Sequence, residues 1–219
     1  MAKAEIVKAW KPELKVLGFV YRDLMFQRRE GMDQSLQPAI SIQRNLHSHT
    51  YLVHIDILIK NPLLPELPRE CLVDGKLRPD GVYLHVFQSS WWPRNAMPKA
   101  LEGVKQYALP WFRKWSDLSF LVEKHEIAIC ERKHLFTVFE PLTSEQEEAI
   151  RKIWYRPAHD EEVRVSPSVF HHASVLHFLN GNRELAIQRT RDWLERIGPR
   201  EAVEHRCAEM QLRLLRQTN

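Results

Sequence analysis

Apolar residues recur at helical spacing at the start of the chain. Steps of four, four and three predict a first helix with one apolar face, formed by Ile6, Trp10, Leu14 and Leu17. Gly18 follows directly, where a helix favours a residue in the left-handed conformation. Pro12 lies inside the pattern, so the helix either kinks there or a second segment begins there.

Strand-forming residues without a helical pattern follow. Segments 20–28, 38–44, 51–59 and 83–88 predict four strands. In 51–59 the residues alternate between two faces, and the short segment NLHSH before it predicts the turn of an antiparallel hairpin with 38–44. Segment 61–81 contains two Leu-Pro steps and an Asp-Gly pair, which predict a surface loop rather than a strand.

The middle of the chain changes to helical patterns. One helix is predicted to begin near Pro98 and another at Pro110, because proline is favoured in the first turn of a helix. The second of these carries apolar residues along one side: Trp111, Trp115, Leu118 and Val122. Residues 126–142 are ambiguous between one or two short strands and a buried helical turn.

The last third contains clear signals for helix ends. Ser144 with Glu147 forms a capping box before one helix, and residues 156–166 read as a linker. Three consecutive helices with short loops follow, at 166–180, 185–197 and 202–215.

These patterns together predict an α+β protein. We expect residues 1–142 to form an antiparallel sheet of about four to five strands packed with helices. Residues 143–219 are then a helical C-terminal extension packed on that domain.

Composition and charge narrow the classes of function. The chain has 32 Lys and Arg against 28 Asp and Glu, a formal net charge of +4, but no five-residue run of one sign. We therefore expect a solvated mixed-charge surface, and weak nucleic-acid binding is an alternative that rests on the basic balance alone. No secretory signal is seen at the start, and no window approaches about 18 uninterrupted apolar residues. A cytoplasmic protein without a membrane segment is predicted.

The cysteines predict neither a disulfide framework nor a zinc site. Cys71, Cys130 and Cys207 lie far apart, are odd in number and form no CxxC pair. Cys71, in the proline-rich segment, is the most exposed thiol by this interpretation, and we expect it to be inert.

The chain has eleven histidines, and three of them fall within the stretch LHSHTYLVHIDILI. A metal site needs about three or four ligands that converge on one point. His47 and His49 lie in the predicted hairpin turn and lack a fixed third ligand, so no metal site is predicted there. His54 is on the strand, and Asp56 shares its face, so these two side chains can line a groove. None of the helical histidines has HExxH spacing: His171, His172 and His177.

Other catalytic frames are missing from the sequence. It contains no G-x-S-x-G elbow and no glycine-rich phosphate loop. The acidic group Asp160, Glu161 and Glu162 beside His159 is more simply a solvated linker. The sequence therefore predicts no catalytic residue, no cofactor and no metal, and it leans away from an enzyme.

The segment QSSWWPRN is the strongest candidate for a binding surface. Trp91 and Trp92 are adjacent on a predicted strand end, so they face opposite sides, one toward the core and the other toward a surface. Arg94 lies beside them, and Arg44 and Arg28 on neighbouring strands complete a composition typical of a hot spot for a partner protein. The alternative is that both tryptophans are buried under the proline-rich segment.

Five short motifs in order resemble a bacterial family of domains of unknown function, numbered four-three-zero-four. The motifs, all within residues 4–122, are LKVLGF (14–19), MFQR (25–28), ISIQR (40–44), YLVHIDI (51–57) and ALPWFRKWSDL (108–118). The chain departs from the family pattern in having Tyr51 where phenylalanine is usual and a long proline-rich segment before Tyr83. The resemblance implies an α+β fold with an antiparallel sheet and no established catalytic residues.

Two classes of function remain. The first is a non-enzymatic protein that binds another macromolecule, as an immunity-type or accessory factor, through Trp91, Trp92, Arg94, Arg44 and His54. The second is an enzyme or metal-binding protein that uses the histidines of the sheet face. The sequence leaves the partner and the oligomeric state open.

Overall fold

The computed structural model describes residues 3–28, 35–84, 91–133, 135–139, 143, 165–197 and 201–217. The chain divides into two compact units. Unit 1 comprises Met1–Asn61 and Leu67–Asp117, and unit 2 comprises Pro62–Glu66 and Leu118–Asn219.

Unit 1 is an antiparallel sheet with helices on one face. Its strands are β1 (Phe19–Arg22), β2 (Met25–Arg28), β3 (Leu36–Arg44), β4 (Thr50–Ile59), β5 (Glu70–Arg78), β6 (Gly81–Tyr83) and β7 (Trp92–Pro93). Its helices are α1 (Lys3–Val16), a short 3₁₀ turn (Arg94–Ala96), α2 (Met97–Gly103), a π turn (Val104–Ala108) and α3 (Leu109–Trp115). Strands β1 to β6 neighbour one another in chain order, and β7 pairs with β4.

The α+β class, the antiparallel sheet and the C-terminal helices are confirmed, but the predicted strand count is too low. Within the described residues the sheet has seven strands. Segment 20–28 is a hairpin rather than one strand, since Asp23 and Leu24 turn the chain with φ angles of +50° and +65°. Aspartate is among the residues that tolerate a positive φ, but leucine seldom adopts one, so the Asp-Leu pair is only a weak turn signal.

Segment 61–81 contains β5 and is therefore not a loop throughout. Of the two Asp-Gly pairs in the segment, Asp80-Gly81 lies at the turn between β5 and β6. Asp74-Gly75 lies inside β5, where a Cβ on Gly75 would stand 2.9 Å from the Ile55 carbonyl oxygen and 3.0 Å from the Trp111 ring. Gly75 is thus a point of close approach between strand and helix and not a turn residue. The predicted strand 83–88 overlaps β6 at Tyr83, and its residues 85–88 lie outside the described part of the chain.

The helix-covered face of the sheet holds the core of unit 1. The apolar face of α1 is buried as predicted, with the Trp10 ring 6.4 Å from that of Phe26. Helix α1 runs through Pro12 without a second start. On α3, Phe112 lies 5.9 Å from Phe19, so α1 and α3 cover one side of the sheet. We call the opposite side the outer face.

The predicted helix starting at Pro110 is two helices, and its first part is continuous with α2. The π turn lies directly before α3, with the Leu109 amide donating to the Val104 carbonyl. A wider turn of this kind accommodates Pro110, which has no amide hydrogen to donate. The helix ends at Trp115, and a separate helix begins at Leu118.

Unit 2 is helical in its described residues. It contains α4 (Leu118–Cys130), α5 (Leu135–Phe139), α6 (Pro167–Leu179), α7 (Arg183–Arg196) and α8 (Ala202–Gln217). Within the ambiguous segment 126–142, the described residues are partly helical. The predicted helix after Ser144 and nearly all of the 156–166 linker, including the acidic group at 160–162, lie outside the described residues.

Two signals for the ends of α6 are confirmed: Pro167 is in its first turn, and Gly181 after it has a φ of +77°. Ser166 stands at the N-cap of α6, but its side chain makes no capping hydrogen bond. Helix α7 is capped by Asn182, which was not predicted as a cap and whose side chain accepts from the Leu185 amide. A buried polar network joins the three helices: the Gln211 amide donates to the Ser174 hydroxyl at 2.8 Å and to that of Thr190 at 3.1 Å. No described helix has the length and apolar character needed to cross a membrane.

Candidate functional site

The two adjacent tryptophans face different environments. Trp92 is only 6 % exposed, and its indole nitrogen donates to the Leu77 carbonyl at 3.0 Å. Trp91 is half-buried. Trp92 therefore belongs to the interior, with its hydrogen-bonding group already used within unit 1.

Strand register separates the other predicted binding residues. Arg44 and Trp92 are the cross-strand partners of Tyr51 on either side of β4. His54 lies three residues further along β4, so its side chain points to the opposite face of the sheet from Tyr51. Arg94 is exposed in the 3₁₀ turn after β7. The structure thus places Arg44 and Trp92 on the two strands that flank β4, and His54 on the opposite face of the sheet.

His47 and His49 lie in the hairpin turn between β3 and β4, as predicted. Both are exposed, and His49 has a φ of +51°. The Arg44 guanidinium donates to the His49 Nδ1 at 2.9 Å, and the His47 amide donates to the Asn45 side chain. The turn is held by local hydrogen bonds.

His54 belongs to a polar cluster on the outer face. Asp56 follows it two residues later on β4, and the register puts Asp74 of β5 directly opposite Asp56. Ligand-type atoms of His54, Asp56 and Asp74 all lie within 4.8 Å of one another. We call these three residues the outer-face triad.

Hydrogen bonds fix the triad's histidine on both sides of its ring. The Nδ1 atom lies 3.1 Å from the Asp74 Oδ1, and the Nε2 atom lies 3.0 Å from the Gln43 Oε1. On the other side of Asp74, the Lys76 ammonium is 3.5 Å from the Oδ2 atom. The imidazole orientation is therefore set by β3 and β5 together.

Asp56 is the unusual member of the triad. It is 8 % exposed, and its Oδ1 atom has no hydrogen-bond partner among the described residues. Burial raises the pKa of Asp56 to about 8, and the charge and hydrogen bond of Asp74 add to the rise, whereas Lys76 opposes it. The Asp56 carboxyl therefore carries a proton at neutral pH.

The pKa values of Asp74 and Cys71 are also shifted by burial and by the charges of this cluster. Burial acts to raise the pKa of Asp74, but the hydrogen bond from His54 and the charge of Lys76 together lower it. Cys71 is exposed as a residue, yet burial of its thiol, together with the charges of Asp56 and Asp74, raises the pKa of Cys71 to about 12. Its thiol is accordingly protonated and a poor nucleophile.

The sequence contained only part of this cluster. It placed His54 and Asp56 on one face, but Asp74 lay in a segment predicted as a loop. Alternation of apolar Val73 and Leu77 with Asp74 and Lys76 was the available signal for a strand there.

A second feature of unit 1 is a groove of about 420 Å³ beside the first helix. Its walls come from α1 and the β1–β2 hairpin, and it is lined by Lys3, Ala4, Val7, Lys8, Lys11, Tyr21 and Leu24. The Lys11 ammonium lies 5.0 Å from the centre of the Tyr21 ring, a cation–π distance. Leu24 at the hairpin turn is 71 % exposed. We call this feature the lysine groove.

Unit 2 has a charged group that ties its helices together. Glu126 of α4 accepts hydrogen bonds from Arg189 of α7 and from His177 of α6, the latter at 2.8 Å. Burial acts to raise the pKa of Glu126, but these two hydrogen bonds and the charge of Arg189 lower it to about 2. The same contacts raise the pKa of Arg189. This geometry is typical of a structural ion pair.

The other buried histidines of unit 2 pack against neighbouring side chains of the same unit. His125 is fully buried, and its Nδ1 atom donates to the Leu121 carbonyl at 2.8 Å. Burial, assisted by the charge of His172, lowers the pKa of His125 to about 3, so its ring is neutral. His171 stacks on Trp193 with ring centres 4.2 Å apart. These contacts give the histidines structural roles.

Comparisons with known proteins give no assignment. No family model, curated protein or solved structure matches the chain, and the resemblance to family four-three-zero-four stays a prediction.

Proposed function

We propose that the protein is a non-enzymatic binding protein whose lysine groove takes an acidic, partly apolar segment of another protein. The observation that carries the proposal is the combination of three lysines with an apolar floor and an exposed leucine at the rim. An immunity-type or accessory role falls within this proposal. We also propose a cytoplasmic location, because the three free cysteines remain reduced there.

Charge favours an acidic partner. Lys8 and Lys11 are exposed, and they lie three residues apart on one face of α1. The lining of the groove contains three lysines and no acidic residue. An incoming carboxylate therefore finds cations on the helix side and no like charge among the lining residues.

The apolar part of the groove favours a protein segment over a simple anion. Val7 and Ala4 lie between the lysines, and Leu24 extends from the hairpin into solvent. A leucine in the left-handed region costs about 1–3 kcal/mol, and at this position it gains little burial in return. The hairpin thus presents an apolar contact that folding of unit 1 alone does not use.

A nucleic acid fits these features less well. Its backbone would satisfy the lysines, but Leu24 and Val7 offer no stacking surface for bases, which favour aromatic side chains. Tyr21 is the one aromatic ring in the lining, and Lys11 already lies over it. An acidic protein segment therefore fits the lysine groove better than a nucleic acid does.

Selection from a displayed library of random twelve-residue peptides tests this function, with the EDTA-treated full chain as bait. We expect the enriched peptides to combine acidic residues with large apolar ones. Labelled copies should bind the Lys8→Glu/Lys11→Glu variant about tenfold more weakly, since exposed ion pairs contribute about 0.2–1 kcal/mol each and charge reversal adds repulsion. Lys99→Glu makes the same kind of charge change at an exposed residue outside the groove, and it should leave binding unchanged.

Three results would overturn the proposal. The first is a set of enriched peptides without acidic residues. The second is a set of peptides that bind the double variant as tightly as the wild type. The third is tight binding of a twelve-nucleotide single strand that is lost in the double variant while no peptide is enriched, and this result would assign the groove to nucleic acid.

A further inference from the structure

We infer that the outer-face triad, His54, Asp56 and Asp74, binds a divalent transition-metal ion of the Zn²⁺ or Mn²⁺ class. The site lies on the outer face of the sheet and is independent of the lysine groove. It rests on the ligand set, on the hydrogen bonding of the histidine and on one unpartnered buried oxygen.

The ligand set has the composition of a metal site. One imidazole and two carboxylates come from two adjacent strands, with ligand-type atoms within 4.8 Å of one another. Around a bound zinc ion these atoms lie about 2.0–2.2 Å from the metal. Mixed nitrogen and oxygen ligands suit zinc and manganese better than they suit soft copper(I).

The histidine is oriented as a ligand by its second nitrogen. The Gln43 Oε1 atom lies 3.0 Å from Nε2, and Nδ1 faces the Asp74 Oδ1 at 3.1 Å. A metal ion bound by Nδ1 and Asp74 would take the place of the proton between these two atoms. Metal-bound histidines commonly hold their other nitrogen in the same way.

Asp56 supplies the independent observation. It is more than nine-tenths buried, and its Oδ1 atom has no partner among the described residues. Buried polar atoms are nearly always partnered, so an orphaned carboxyl oxygen on a residue of the triad calls for a ligand. Asp56 also stands directly opposite Asp74, and the two carboxyl groups are hydrogen-bonded to each other. A divalent cation bound by both would displace the proton of that hydrogen bond.

Lys76 is the competing cation, and its position leaves room for the metal. Its ammonium lies 3.5 Å from the Oδ2 atom of Asp74, whereas the oxygen that faces His54 is Oδ1. The lysine thus neutralises one side of Asp74, and the side toward the other two ligands remains available.

Calorimetric titration of the untagged, EDTA-stripped full chain with ZnCl₂ and separately with MnCl₂ tests the inference. We expect about one equivalent of at least one of the two ions and a rise in Tm, because an ion that binds only the folded state stabilises it. His54→Gln and Asp74→Asn should each weaken binding by about tenfold or more. His49→Gln removes an exposed histidine outside the triad and is the matched control for adventitious surface binding.

The wild-type protein alone can overturn the inference. If neither ion binds at a stoichiometry of about one, the site does not exist. Binding that survives both His54→Gln and Asp74→Asn, or that falls equally in His49→Gln, would place the ion elsewhere. Urea midpoints of the metal-free variants identify any that fail to fold. His54→Gln is the more conservative change, since it alters a partly exposed side chain and keeps a polar amide.

Discussion

His125 should contribute less to the stability of the protein as the pH falls from 7 to 5. Its imidazole is fully buried in unit 2 and faces Phe139, His172, His177 and Glu126. The pKa of His125 falls from an ordinary value of 6.5 to about 3, mainly through burial. Because the folded-state pKa is depressed, the unfolded chain takes up a proton below pH 6.5 that the folded chain refuses. Its contribution to stability is therefore complete above pH 6.5 and declines on acidification.

The magnitude follows from the two pKa values. Each pH unit between them costs about 1.36 kcal/mol, so moving from pH 7 to pH 5 lowers the free energy of unfolding by about 2 kcal/mol through this residue alone. The His125 imidazole is fully buried, so solvent does not screen its interactions. Glu126 has a pKa lowered from 4.5 to about 2, and its own loss of stability begins below this pH window.

Urea denaturation followed by circular dichroism at pH 7 and pH 5 measures this effect in the wild type and in His125→Phe. The phenyl ring keeps the volume and the aromatic contact with Phe139 but does not titrate. Between pH 7 and pH 5 the free energy of unfolding of the wild type should change by about 2 kcal/mol more in the destabilising direction than that of the variant, because the titration of other groups such as Asp56 is common to both proteins. An equal change in both proteins would refute the argument. If the variant is too unstable to compare, an NMR titration decides: a His125 ring signal that titrates above pH 5 contradicts the burial effect.

Two further changes test the packing of each unit. Gly75→Ala should lower the free energy of unfolding by about 1–3 kcal/mol, because its Cβ would lie 2.9 Å from the Ile55 carbonyl oxygen. Gly81→Ala is the control, since its Cβ would approach no surrounding atom closer than 3.4 Å. Equal urea midpoints for the two variants would contradict this explanation. Gln211→Leu should cost about 1–3 kcal/mol, since the buried Ser174 hydroxyl loses a donor; an unchanged midpoint would show that the network does not stabilise unit 2.

Apolar periodicity predicted elements whose apolar face is buried by their neighbours. The stripe on α1 is an example, since Trp10 and Leu14 are buried. On β4 the alternating Val53 and Ile55 are buried, although Leu52 and Leu58 on the other face are buried too. Helix signals at Pro167 and Gly181 were equally informative, because they act within a few residues of the chain. Local rules predict local structure.

The sequence-based predictions were wrong where contacts between residues far apart in the sequence determine the structure. In the turn between β1 and β2, Asp23 tolerates a positive φ but Leu24 seldom adopts one, and the turn is closed by the pairing of the two short strands. The proline-rich segment was predicted as a loop because of its turn residues, yet Trp111 packs on Gly75 and keeps β5 in the sheet. In the same way, Asp74 joins His54 and Asp56 through the register of β5, which a single sequence does not specify.

Strand β4 has neighbours on both edges, β3 on one and β5 with β7 on the other. Amides in such an interior strand exchange with solvent chiefly through global unfolding, while edge strands such as β1 open by fraying. Two of the triad's three side chains, those of His54 and Asp56, are carried by this slowest-exchanging strand. Their spacing therefore persists through local opening events at the sheet edges and is lost only when unit 1 unfolds as a whole.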